Sequence, residues 1–303
     1  AQGAAVVAKP LWFLAVYVIV VAAAPPMLAL HRRFGLRVPV ALAVAAVAVD
    51  VARIGFDVPL VGWLNFAFVW LLPHQLGFFY ADGSLVAAGR RIAAMLAAGG
   101  VAAVALLVGS GIYSPSMVGV ADGRVSNNSP PGVALAALSL WLVGLVMLAR
   151  PHLVSWLGRR RVWTAVIGGG SMAMTVFLWH LTALMILAPV ALPLGFPQPE
   201  AGTASWWLTR PLWIAMLALV TAPLVLVFAR FERPKRRAAS PEPAAPRVLA
   251  AAALLVPALA GFATYGFTGV TDAGWLRPPM SAAAFAGALW LLRRREQPGA
   301  GVC

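Results

Sequence analysis

Nine stretches of this chain are apolar and long enough to cross a bilayer, and the arginines between them fall almost entirely on alternate loops. The stretches run from Pro10 to Leu30, Val38 to Ala52, Pro59 to Tyr80, Arg91 to Gly109, Gly132 to Ala149, Val162 to Val190, Pro211 to Ala229, Val248 to Phe267 and Pro279 to Leu292. Most approach the roughly 20 helical residues that a hydrocarbon core of about 30 Å requires. The second and ninth are the shortest. The expected fold is therefore all-α, a polytopic transmembrane helical bundle, because only helices and closed barrels satisfy every backbone polar group in lipid.

Orientation follows from charge. One set of loops carries Arg32, Arg33 and Arg37; Arg90 and Arg91; Arg150, Arg159, Arg160 and Arg161; Arg230, Arg233, Lys235, Arg236, Arg237 and Arg247; and Arg293, Arg294 and Arg295. The opposite set holds only Lys9, Arg53, Arg124, Arg210 and Arg277. The positive-inside rule makes the first set cytoplasmic, with the N-terminus outside and the C-terminus in the cytoplasm of a plasma-membrane protein. Tryptophans agree: Trp12, Trp63, Trp206, Trp207 and Trp275 lie near outer span ends and Trp156, Trp163 and Trp290 near inner ones, as headgroup-level belts do. The net charge of +14 thus reads as topology. A nucleic-acid binder gathers its basic residues on one folded face, and here they are dispersed at span ends.

The stretch Phe231 to Arg247, FERPKRRAASPEPAAPR, mixes basic residues, glutamates and prolines and reads as a solvated cytoplasmic linker. It divides residues 1–230, with seven spans, from residues 248–303, with two further helices and a basic tail. On the outer side, Ser110 to Pro131 is the longest irregular loop. It is rich in Ser, Asn, Gly and Pro, a turn-forming composition that fits either a substrate-facing loop or a plain connector. The single cysteine, Cys303, allows no disulfide framework within one chain.

Ionisable residues at membrane depth are costly, so each is a functional candidate. His74 follows Pro73 in the third span, where a proline frees a carbonyl and the pair His74-Gln75 can satisfy the gap or line a cavity. His180 lies in SMAMTVFLWHLTAL. Counted along a continuous helix from Val162, it is about 27 Å deep, close to the outer face. Ser171, Thr175 and Thr182 share its helix at neighbour spacings and extend a polar stripe, which equally fits interhelical hydrogen bonding. Asp50 and Arg53 are three apart at the outer end of the second span and read as a local ion pair. Asn65 is a further polar residue at depth. His31 and His152 read as ordinary residues of arginine-rich loops, and the four histidines show no metal-ligand spacing.

Three segments, KPLWFLAVYVIVVAAAPPMLAL, NFAFVWLLPHQLGFFYADG and SMAMTVFLWHLTAL, together resemble the integral-membrane acyltransferase family 3, the bacterial O-acetylase family, most closely its actinobacterial type. In that family a helix opening Trp-Phe-Leu ends in Pro before a basic loop, as Trp12, Phe13, Leu14 and Pro25 do. A late helix reads Phe-Leu-x-His, as Phe177, Leu178, Trp179 and His180 do. The resemblance covers roughly Pro10 to Pro234 and makes residues 1–230 an acyltransferase-like core. It implies transfer of an acyl group, usually acetyl, from acyl-CoA as cosubstrate to a hydroxyl of a carbohydrate or cell-envelope acceptor, with no permanently bound cofactor. A catalytic histidine on the family's first span has no counterpart here. Three family spans are accordingly expected upstream of Ala1, and the residues present are expected to be inactive by themselves.

Within that reading His180 and His74 are supporting catalytic candidates, and Trp12, Asn65, Ser171 and Thr175 are candidates for acceptor binding. Arg150, Arg159, Arg160 and Arg161 are candidates for attracting the anionic donor. The expected partners are acyl-CoA, the hydroxyl acceptor and the lipid bilayer, with no nucleic acid. Two other classes compete: a transporter or flippase, which would show paired broken helices around midplane charges, and a non-catalytic structural membrane subunit.

Overall fold

The computed structural model describes residues 7–115, 125–200, 202–228, 245–265 and 278–293. Among these the secondary structure is helical, as expected, with two isolated bridges at the Ser110 to Pro131 loop. In chain order the helices are α1 (Leu11–Phe34), α2 (Arg37–Asp50), α3 (Asn65–Ala81), the single turn α4 (Ser84–Ala87), α5 (Gly89–Gly109), α6 (Val133–Leu157), α7 (Arg160–Gly170), α8 (Ala173–Ala191), α9 (Ala204–Phe228), α10 (Ala245–Tyr265) and α11 (Pro278–Arg293). Among the described residues, seven helical segments are long and apolar enough to cross a membrane: α1, α2 with its continuation to Gly55, α5, α6, α8, α9 and α10. The third and ninth expected spans are shorter. The former gains length because a 3-10 turn, Val61–Leu64, runs directly into α3.

Two compact units divide the chain, residues 19–158 on one hand and residues 1–18 with 159–303 on the other. In the first, α1, α2, α3 and α6 share a core that includes Met27, Leu42, Ala46, Val69, Leu72 and Ala136. Helices α5 and α6 pack closely along Ala93, Ala97 and Gly100 on one and Ala137, Trp141 and Gly144 on the other. A Cβ on Gly100 would lie 2.8 Å from the Trp141 Cα, and one on Gly144 would lie 2.7 Å from the Ala97 Cα. Lipid offers helices little hydrophobic reason to associate, so small residues that let backbones approach are what hold such a pair. In the second unit α8 packs on α9, where Trp179 stacks on Phe228 with centroids 4.1 Å apart, and α10 packs on α11.

Several boundaries differ from the sequence reading. Helix α6 runs on past Ala149 to Leu157, so Arg150 and His152 are helical and not loop residues. The sixth span is broken: α7 ends at Gly170, Ser171 and Met172 form a turn, and α8 begins at Ala173. Three successive glycines, 168 to 170, carry little helix propensity and set the break there. His180 is therefore about 10 Å along α8 and mid-helix, not near an outer end. Helix α9 starts at Ala204, so Trp206, Trp207 and Arg210 are helical and not loop residues. Helix α10 starts at Ala245, inside the expected linker, whose residues 231–244 lie outside the described part.

The α5–α6 contact makes a direct prediction. Gly144→Leu has no room and should cost about 1–3 kcal/mol or more of stability, as overpacking does. Gly99→Leu, on the same helix as Gly100 but with nothing within 4 Å of its Cβ position, should be tolerated. Melting temperatures of the two purified variants in detergent check this, and equal losses would refute it.

Candidate functional site

Polar side chains gather at both ends of α3. At its start, Asp50 is 3% exposed and Asn65 is fully buried. The Asn65 amide donates to Asp50 Oδ1 at 3.1 Å and to the Ala46 carbonyl at 3.3 Å. The Tyr113 hydroxyl donates to Asp50 Oδ2 at 2.8 Å, and the Val133 N–H donates to the same oxygen at 2.7 Å. Arg53 Nη2 lies 2.9 Å from Asp50 Oδ1, and Arg53 Nη1 donates to the Pro130 carbonyl at 3.2 Å. The i,i+3 pair read from the sequence is thus present as one edge of a larger network.

Local backbone features explain how these groups meet. A π-helical turn, Val51–Gly55, follows α2, and such turns recur where side chains must be re-aimed. Gly62 leaves room for Arg53, since a Cβ there would lie 2.6 Å from the Arg53 Cδ. Gly132 caps α6 with extended backbone and supplies no side chain to its first amides. Asp50 provides that cap from 83 residues away, placing a carboxylate at the positive end of the helix dipole. Burial, and then the Asp50 carboxylate, push the Tyr113 phenol well above its usual range, so it stays a donor.

At the other end of α3 the structure corrects the sequence reading of His31. It belongs to the last turn of α1 and not to a loop, and it is 8% exposed. The fully buried Gln75 amide donates to His31 Nδ1 at 3.0 Å, which leaves Nε2–H to donate to Asp82 Oδ2 at 2.9 Å. Phe79 packs edge-on against the ring at 4.4 Å. Asp82 also accepts from the Ser84 hydroxyl at 2.6 Å and the Ser84 N–H at 2.9 Å. These Ser84 bonds, followed by that from His31, hold the Asp82 carboxyl down to about 2. The network ties α1, α3 and the turn into α4 together, and the seven-residue spacing of Gln75 and Asp82 is its trace in the sequence.

The expected candidates fall in separate places. His74 meets Phe78 edge-on at 4.8 Å, and its Nδ1 is buried without a hydrogen-bond partner among the described residues. Gln75, its expected companion, serves His31 instead. Arg150 lies in α6 with its guanidinium 5.8 Å from the Tyr80 ring centroid. Arg159 is the N-cap of α7 and Arg160 and Arg161 begin it. His180 is on an exposed face of α8 and its Nδ1–H donates to the Phe177 carbonyl. Thr175 is buried on that helix, whereas Ser171 sits in the turn before it and donates to the Gly168 carbonyl, so the expected polar stripe is interrupted. Trp12, in α1, packs edge-on against Phe13, which in turn meets Phe177 at 4.8 Å. Asn65 is committed to the Asp50 network.

Removing Asp50 would leave the Arg53 charge and three donors without their acceptor. Asp50→Ala should cost about 3–5 kcal/mol, while Tyr113→Phe should cost about 1–3 kcal/mol. Unfolding of the detergent-purified variants tests that order, and a negligible effect of Asp50→Ala would refute the hub. Asp82 gives a pH signature. Its folded value of about 2 lies below its usual 3.8, so its contribution is complete above about pH 4 and is lost as pH falls toward 2. Asp82→Asn should flatten the melting temperature across that interval, and an unchanged profile would show that the carboxylate contributes nothing there.

A model of an acyltransferase domain, that of acyltransferase 3, matches residues 4–230, most of the chain and all of α1 to α9. Comparison with curated proteins and with solved structures finds no match. With its apolar helices and this match over well over half of its length, the chain is a multi-pass membrane protein that belongs to the acyltransferase 3 family.

Proposed function

We propose that the protein acts in transfer of an acyl group, acetyl first among them, from acyl-CoA to a hydroxyl of a carbohydrate or cell-envelope acceptor. The observation that carries the reading is the state of His180. Its Nδ1–H is engaged by the Phe177 carbonyl, which leaves Nε2 as the ring nitrogen open to a substrate, on an exposed face halfway along an apolar helix. An imidazole at that depth is costly against hydrocarbon, so this face meets a polar path or a polar substrate. His31, by contrast, has both nitrogens engaged.

In the reaction the acceptor oxygen attacks the thioester carbonyl, its proton leaves to a base, the carbon–sulfur bond breaks and the coenzyme thiolate departs and takes a proton. His180 Nε2 accepts a hydrogen bond from the acceptor hydroxyl and orients it, a supporting role beside the primary base. Thr175 lies five residues earlier on the same helix, and Trp12 neighbours Phe13 against Phe177, so both belong to the His180 region of their unit. Arg159, Arg160 and Arg161 crowd three cations at the N-terminus of α7, where the helix dipole is already positive. An anionic ligand such as the donor's phosphates relieves that repulsion. The positive-inside rule favours the cytoplasm, where coenzyme A resides, for this end and for the C-terminus.

Two experiments test the reading. In the full-length enzyme His180→Ala should lower acyl transfer from labelled acetyl-CoA about ten- to a thousandfold, at or below the usual range for a general acid or base, with insertion preserved. His74→Ala should matter less, and a normal rate for His180→Ala would remove the role. For topology, in a Cys303→Ser background, a membrane-impermeant thiol reagent should label Thr203→Cys but not Arg160→Cys in intact cells. The reverse pattern would invert the orientation.

A further inference from the structure

Between α3 and α6, within residues 19–158, lies a cavity of about 450 Å³. Its walls are apolar, with Pro73, Gly77 and Tyr80 from α3 facing Leu142, Met147 and Leu153 from α6. On both helices the lining residues recur at intervals of three and four, the signature of one helix face. Gly77 opens the floor, because a Cβ there would meet nothing within 4 Å. One charged residue, Arg150, lines the cavity. Its Nε is buried without a hydrogen-bond partner, and among the described residues the guanidinium forms no ion pair, resting instead over the Tyr80 ring at 5.8 Å. Counted from Val133, Arg150 is about 26 Å along α6, near the edge of a hydrocarbon core of about 30 Å, on the arginine-rich side.

We propose that this groove is a binding site for an anionic phospholipid of the arginine-rich leaflet, one acyl chain lying between α3 and α6 and the phosphate on Arg150. The α6 wall from Leu142 to Leu157 extends about 22 Å, a length suited to an acyl chain. A guanidinium binds phosphate through paired N–H groups, and a basic position between membrane helices at this depth is where lipid headgroups are held. The single lining cation matches a headgroup with one negative charge. A coenzyme A thioester brings several phosphates, which call for several cations.

Native mass spectrometry of the purified, delipidated full chain with equimolar dioleoyl phosphatidylglycerol and phosphatidylcholine tests the site. The wild-type protein should retain phosphatidylglycerol about fivefold over phosphatidylcholine, the effect of one interfacial cation. Arg150→Gln should bring the ratio close to one, and Arg150→Lys should restore a preference. Gly77→Leu, which fills the groove without touching the charge, should reduce retention of both lipids. A wild-type ratio of one, a preference that survives Arg150→Gln, or retention unaffected by Gly77→Leu would each overturn the proposal. So would displacement of phosphatidylglycerol by equimolar palmitoyl-coenzyme A, because the groove would then hold a thioester's chain.

Discussion

A single buried carboxylate holds the first unit together. Asp50 pairs with the Arg53 charge and accepts from the side chains of Asn65 and Tyr113 and from the first amide of α6, so the end of α2, the start of α3, the loop carrying Tyr113 and a long helix meet at two oxygens. In lipid the hydrophobic effect does little to choose between helix arrangements, and dense apolar packing alone is permissive. A saturated charge is not permissive. Any shift of one element leaves a donor unpaired or the carboxylate exposed to a low dielectric, and both are expensive. The small-residue contact between α5 and α6 sets how closely these helices approach, while Asp50 sets where α6 begins.

The network at the opposite end of α3 works by the same logic with weaker groups. Gln75 and Asp82 lie seven residues apart, about two turns, so they share a face of α3 and its cap and reach His31 from two sides. Pro73 sits just before this pair. The helix that carries both networks is thus pinned at its two ends, and the apolar cavity with Arg150 opens along its side.

Much of this architecture is legible in the sequence, because span length and arginine spacing are set by the bilayer itself, and the segments around Trp12, His74 and His180 carry the family resemblance. What the sequence conceals is which polar residues find each other. Asp50 and Arg53 are three apart and announce their pair, but Tyr113 lies 63 residues from Asp50 and Val133 lies 83 away. His31 reads as a loop residue because arginines follow it, and only the chain's return through Gln75 and Asp82 reveals it as buried. The break at Ser171 was legible in the glycines 168 to 170, but apolar neighbours on either side mask it as one long span. The polar stripe of the sixth span resists reading for a different reason: Ser171, Thr175 and Thr182 have the spacing of one face, and the turn at Ser171 removes one of them from the helix.

The distinction between saturated and unsaturated polar groups separates structure from function here more sharply than residue type does. Asp50 and His31 look like chemistry in the sequence of a transferase, yet every lone pair and proton that they offer in these networks is engaged, so neither is free to take a proton from a substrate without dismantling a helix contact. His180 and Arg150 are the converse. In His180 Nδ1 is held by the Phe177 carbonyl and the residue is exposed, and in Arg150 the guanidinium rests over the Tyr80 ring with Nε lacking a hydrogen-bond partner among the described residues. A bilayer supplies no water at depth to satisfy such groups, so a fixed but unsatisfied polar atom in a membrane helix is a candidate for completion by a ligand, as His74 Nδ1 also is. By that criterion the proposed acceptor contact belongs to α8 and the proposed lipid contact to α6, while the two networks at the ends of α3 hold residues 19–158 together.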